Sequence, residues 1–222
     1  MFSAAENEAS WRDRALGRSL EPARARSAER LERLIGAARD LANETGSAAF
    51  TVAQVTTRAG LSLKSFYRCF AGKDDLLVAL LEEDSRIGAM LLAEAIGGHR
   101  DPAQRLRAYV TGLFDLLRHP GAMGYAGMLV REHRRLSEVR PDDLDRALAP
   151  MIAVLEAELA AASTPRTGFD ASRDARRVFA LLLEGIHNVT LGRVDPCDEA
   201  DAAWSFLWAG LSRSFSDQGA HV

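Results

Sequence analysis

Two short apolar patterns, Thr51–Ala59 and Ser62–Phe70, are separated only by Gly60 and Leu61. Helices this short are marginal in water, because nucleation costs more than a few added hydrogen bonds return. They persist only if a third element covers their apolar sides. Val52, Val55 and Ala59 share one face of the first helix, and Leu61, Phe66 and Phe70 form the inner face across the turn and second helix. Gly60 gives the turn access to a left-handed backbone. Upstream, Leu31, Leu34, Ile35, Ala38, Leu41 and Ala42 recur at spacings of three and four. That period predicts an amphipathic helix over 27–45, N-capped by Ser27 and ended by Gly46. It is the expected third wall of a small core, with Thr51 and Ser62 as caps of the two short helices.

Charge singles out the same region. The chain has 222 residues and a formal net charge of −3. Between Arg24 and Lys73 nine basic residues face four acidic ones, a balance of +5 that leaves −8 for the remainder. No acidic residue lies between Thr45 and Lys73, and the chain's two lysines, Lys64 and Lys73, both fall here. A basic segment on an acidic body is the pattern of a nucleic-acid-binding part joined to a part with another task.

The remaining chain continues in helical periods. A long helix is predicted from Lys73 to about 96, stopped by Gly97-Gly98. Five more follow, over about 102–118, 122–138, 141–162, 171–192 and 198–216, punctuated by Pro120-Gly121, by the 163–169 loop with Pro165 and Gly168, and by Pro196. No segment alternates like a strand. The fold class is therefore all-α, with about nine helices. Four parts are expected: a flexible arm at 1–26, a helix-turn-helix unit at 27–72, a connecting helix at 73–98, and a ligand-binding and dimerisation part at 99–218.

Several function classes have no support. Cys69 and Cys197 have neither metal-ligand spacing nor a disulfide framework. No metal and no cofactor are expected. There is no apolar run long enough to span a membrane and no secretory signal at the start, so a cytoplasmic protein is expected. No nucleophile–base pair or phosphate-cradling glycine loop suggests an enzyme. Asp74-Asp75 and Asp142-Asp143 sit at helix starts, where carboxylates are favoured for electrostatic reasons.

With Phe66 and Phe70 turned inward, Leu63, Lys64, Ser65, Tyr67 and Arg68 are left facing out. In a helix-turn-helix the second helix enters the major groove by its N-terminal half. Lys64 and Arg68 can meet guanine edges or phosphates, Ser65 can donate to either, and apolar atoms of Leu63 can touch a thymine methyl. The Tyr67 hydroxyl suits a phosphate. Thr51, Ser62 and Lys73 stand at helix starts, where backbone N–H groups also bind phosphate.

These residues resemble the TetR family of bacterial transcriptional regulators. The resemblance runs over about 27–80 and lies in Phe50-Thr51-Val52, Arg58-Ala59-Gly60-Leu61-Ser62, Phe66-Tyr67-Arg68-Cys69-Phe70, and Lys73 with Leu76. It implies DNA contacts at Thr51, Ser65, Tyr67 and Lys73. Thr56 departs from a frequent Ala, Cys69 from the usual His, and Leu63-Lys64 from a frequent Lys or Arg followed by Gly or Ala.

The resemblance further implies a ligand chamber and a dimer interface beyond the long helix. Met90, Tyr109, Leu113, Phe114, Met123, Tyr125, Met128, Phe179 and His187 are the candidate chamber residues. Phe179, Leu182, Ile186, Phe206, Leu207 and Leu211 are the candidate interface, since the last two helices carry more apolar surface than one covered side can hide. The expectation is a homodimeric repressor that leaves double-stranded operator DNA when a small, hydrophobic effector binds. A helical protein-interaction adaptor without specific DNA binding is the alternative.

Overall fold

The computed structural model describes residues 11–119, 122–162 and 170–215. Within them the chain forms nine helices and no strand. These are α1 (Trp11–Thr45), α2 (Val52–Ala59), α3 (Leu63–Tyr67), α4 (Lys73–Gly97), α5 (Pro102–Asp115), α6 (Ala122–Val139), α7 (Pro141–Ala162), α8 (Ala171–Thr190) and α9 (Pro196–Phe215), with a 3₁₀ turn at Leu116–Arg118 after α5. The all-helical architecture matches the expectation.

The three-walled core is present. Leu34, Ala38, Ala42, Val55, Ala59 and Phe66 are buried together, and Phe66 is fully enclosed. Burying one such ring contributes about 1.5–3 kcal/mol, against about 1 kcal/mol for a helix cap. Packing therefore fixes where α3 sits, and caps trim its ends. The caps themselves are in place. Thr51 Oγ1 accepts from the Gln54 N–H at 3.2 Å while the Gln54 side chain accepts from the Thr51 N–H at 2.7 Å. Ser62 accepts from the Ser65 N–H at 3.2 Å. Thr56, which departs from a small apolar residue, is buried, and its hydroxyl donates to the Ala53 carbonyl at 3.0 Å.

Two boundaries differ from expectation. α1 begins at Trp11, not Ser27, so at least the second half of the expected flexible arm is helix. Ser27 is inside that helix and accepts a hydrogen bond from Arg30 at 2.9 Å. Residues 21–26 are all exposed, which is why no apolar stripe announces them. Their Ala, Arg and Glu favour a helix without any buried face, against the cost of Pro22 inside it. The earlier part of the arm, the Pro120-Gly121 break and the 163–169 loop lie outside the described residues. α3 is also shorter than 62–70, although the Phe70 N–H still reaches the Phe66 carbonyl at 2.9 Å.

α4 touches α1, α5, α6 and α7, so it belongs to both halves of the molecule. α8 is covered by α6, α7 and α9. That accounts for the apolar surplus of the last helices. Phe179, Leu182, Ile186 and Leu207 are all buried in this chain's own core. Of the candidate interface residues, Phe206 at 69% exposure and the half-buried Leu211 retain accessible surface.

Gly60 closes α2 at φ +62°, with its N–H on the Thr57 carbonyl and the Leu61 N–H on the Thr56 carbonyl. A Cβ there would stand 2.9 Å from the Arg33 guanidinium. Gly60→Ala is expected to lower stability by about 1–3 kcal/mol, read from the urea midpoint at unchanged slope.

Candidate nucleic-acid interface and ligand cavity

Most basic groups near the helix-turn-helix are consumed by the fold. Arg33 donates to the Ala59 carbonyl at 2.5 Å and so ties α1 to the C-terminal end of α2. Arg58 makes a two-pronged pair with Glu44 at 2.6 and 2.9 Å. Arg39 is bound to Asp84. Lys73 donates to the Ala48 carbonyl, and its ammonium lies 5.0 Å from the centre of the Phe50 ring.

Lys64, Tyr67 and Arg68 differ. All three are exposed, Tyr67 by 59%, and none has a hydrogen-bond or ion-pair partner among the described residues. The Tyr67 ring stands edge-on to Phe66 with centroids 5.3 Å apart, so the buried ring aims the exposed one. Leu63 is half exposed beside them, and Ser65 is partly buried with its Oγ 3.0 Å from that of Ser62. The surface thus presents two cations, a phenol and an apolar side chain on one short helix and its C-cap. Thr51 is exposed, but its hydroxyl is engaged in the capping box.

A cavity of about 230 Å³ lies within the body, between α4, α6, α7, α8 and the end of α5. Its walls are almost wholly apolar, including Leu81, Leu117, Leu129, Leu148 and Met151. Asp84, Ser85, Tyr125 and His133 supply the polar groups. Of the nine candidate chamber residues, Leu113, Tyr125 and Phe179 line it. The other six do not. Tyr109 is fully buried with its hydroxyl on the Met151 carbonyl at 3.0 Å, and Phe114 and Met128 are core. Met90 and Met123 are on the surface at 61% and 37% exposure, and His187 is partly buried away from the cavity. The missed wall is α4. Leu81, Ser85 and Gly88 lie at helical spacing on one face, and their small members leave the space. A serine and a glycine inside a leucine stripe were the available signal.

The cavity wall is wired to the helix-turn-helix half. Arg39 of α1 donates to Asp84 Oδ1 from Nη2 at 2.7 Å and from Nε at 3.2 Å. The Tyr125 hydroxyl of α6 donates to Asp84 Oδ2. Burial raises the Asp84 carboxyl above its ordinary value, and Tyr125 and Arg39 offset only part of that rise. Its charge is held in place by those two partners. Burial, then the Asp84 charge, pushes the Tyr125 phenol up, so it stays a donor. On the same α6 turn, Gly124 packs against Gly46, where a Cβ on Gly124 would stand 3.4 Å from the Gly46 Cα. Arg131 of α6 donates to the Gly46 carbonyl at 2.5 Å. Arg135 pairs with Asp74 and Arg140 with Asp75, at the first turn of α4.

Comparison with known proteins follows this division. Residues 34–80 match the family of bacterial regulatory proteins, tetR family. No curated protein matches by sequence. Among solved structures, the transcriptional regulator FadR from Bacillus subtilis in complex with stearoyl-CoA is similar at a TM-score of 0.66 and 19% identity, over 80% of this chain and 97% of that one. The fatty acid degradation regulator FadR from Bacillus halodurans gives 0.64 and 19%, over 82% and 96%. The reduced form of E. coli NemR gives 0.58 and 19%, over 81% and 96%. At this identity the likeness establishes the fold over about four-fifths of this chain and nothing about its ligand.

Lys73 holds the turn before α2 and is not poised as a free phosphate clamp. Lys73→Met is therefore expected to lower stability by about 2 kcal/mol in urea unfolding. It should change the salt dependence of DNA binding less than Arg68→Ala does.

Proposed function

From an N-terminal segment that carries the tetR-family DNA-binding sequence, we infer that this chain is a ligand-responsive transcriptional regulator. It acts as a homodimeric repressor on a palindromic operator and is released by a small apolar effector held in the body. The observation that carries this reading is the contrast in the basic region. Arg33, Arg39, Arg58 and Lys73 are spent on the fold, while Lys64, Tyr67 and Arg68 are left without a partner on one exposed face. An adaptor without DNA binding would leave that face without a role.

Two such faces, one from each copy, would enter successive major grooves about 34–36 Å apart. Lys64 reads base edges, and Tyr67 and Arg68 hold the backbone. The second copy covers α9 at Phe206 and Leu211, the accessible members of the candidate interface.

Release follows from the shared first turn of α6. Ala122, Tyr125 and Ala126 line the cavity, while Gly124 and the Tyr125–Asp84–Arg39 chain rest on the DNA-binding half. A molecule that fills the cavity shifts this turn and, with it, α1 and α4. To release DNA it must bind the shifted arrangement more tightly than the DNA-bound one. Because Arg131, Arg135 and Arg140 also join the two halves, the motion is a rigid displacement of the reader and not a local loosening.

Selection of bound fragments from genomic DNA should return one palindrome, and the absence of any reproducible motif would refute the regulator reading. In the same selection Lys64→Ala is expected to change base preference at one position of each half-site. Tyr125→Phe is expected to bind effector and operator yet reduce the effector's power to release DNA by about tenfold or more, within the usual range of coupling energies. Titrating effector against a preformed complex measures this.

A further inference from the structure

Among the described residues that line the cavity, Ser85 carries a fully buried hydroxyl with nothing to bind. Ser85 is 2% exposed, lines the cavity, and its Oγ has no hydrogen-bond partner. A helical serine commonly satisfies itself on the carbonyl one turn back, and here it does not. An unsatisfied buried hydroxyl is costly, and a ligand group that meets it recovers the cost. A site built around such a group discriminates strongly against molecules that lack its complement.

We propose that the cavity takes a compact, electrically neutral, mostly apolar molecule whose single hydrogen-bonding oxygen pairs with Ser85 Oγ. The proposal rests on the ligand-responsive function above and names the class of its ligand. Charge sets the neutrality. No Arg or Lys is among the described lining residues. The Asp84 carboxylate sits at the next position to Ser85 with both oxygens already occupied by Arg39 and Tyr125. An anion placed there would be desolvated, uncompensated and close to a like charge. A cation would find that carboxylate already neutralised by Arg39. For His133, another polar group of the wall, the neutral form is favoured, because burial and then Arg134 lower its pKa against the opposing pull of Asp145. It can serve the same oxygen as donor or acceptor.

Volume sets the size. A water occupies about 30 Å³ in the liquid, so 230 Å³ holds a molecule of on the order of ten non-hydrogen atoms. That lies below the ~300–1,000 Å³ range of most ligand sites. A medium-chain alcohol or an alkyl ketone fits this description, and a free fatty acid does not.

The test uses the full chain with octan-1-ol, octanoate and octylammonium, three probes alike in length and different in charge. Binding is measured by calorimetry and by thermal shift, for the wild type, Ser85→Ala and Ser85→Cys. Octan-1-ol is expected to bind at least tenfold more tightly than either ion. Both substitutions are expected to weaken octan-1-ol by about three- to tenfold, the net worth of one hydrogen bond, while the unliganded melting temperature stays level or rises. The proposal is overturned if either ion binds as well as the alcohol, if Ser85→Ala leaves the alcohol's affinity unchanged, or if no octyl probe binds. Binding of the selected operator is measured on the same samples. Retained operator binding alongside any of those results removes only the ligand class. Absent operator binding with intact preference for the alcohol removes the regulator reading and leaves the assignment of the cavity.

Discussion

A buried carboxylate is the constraint on which the two halves of this protein depend. Asp84 is on α4, a helix that packs on both halves, and it is far enough from water that its ionised form needs partners. One partner, Arg39, comes from α1 of the DNA-binding half, and the other, Tyr125, from the first turn of α6 in the body. Neither can move without leaving the carboxylate under-satisfied. The same three helices thereby form one joint, and the cavity opens on it.

The exposed cationic face of α3 emerges from a division of labour among basic residues. Net positive charge does not identify a binding face when most cations are satisfied internally. Arg33 acts as a C-terminal cap for α2, and Lys73 pins the backbone at Ala48 beneath Phe50. Only after those groups are accounted for does the short face of Lys64, Tyr67 and Arg68 stand out. Its rigidity comes from Phe66, whose burial fixes α3 and whose ring supports Tyr67.

The body shows the opposite economy. Its interior is apolar apart from a few polar groups along one edge, where Asp84 and Tyr125 satisfy each other and Ser85 is left over. Apolar residues that the spacing placed on the last two helices, such as Phe179 and Leu182, turn out to hold the chain's own centre, because α8 is enclosed on three sides. Burial by neighbours outside the helix carries no mark in the helix's own period.

The sequence by itself determined the helical class, most helix limits, the capping roles of Thr51 and Ser62, the left-handed Gly60, and the inward Phe66 and Phe70 with Lys64, Tyr67 and Arg68 outward. These follow from local period, cap chemistry and glycine, all encoded within a few residues of each other. The tertiary structure alone decided that Lys73 supports a turn, that α1 continues back to Trp11, and that α4 supplies a cavity wall at Ser85 and Gly88. It alone brought Arg39, Asp84 and Tyr125 together. Those contacts join residues more than 40 positions apart, and which distant side chains meet is set by how helices cross, not by the period of any one of them.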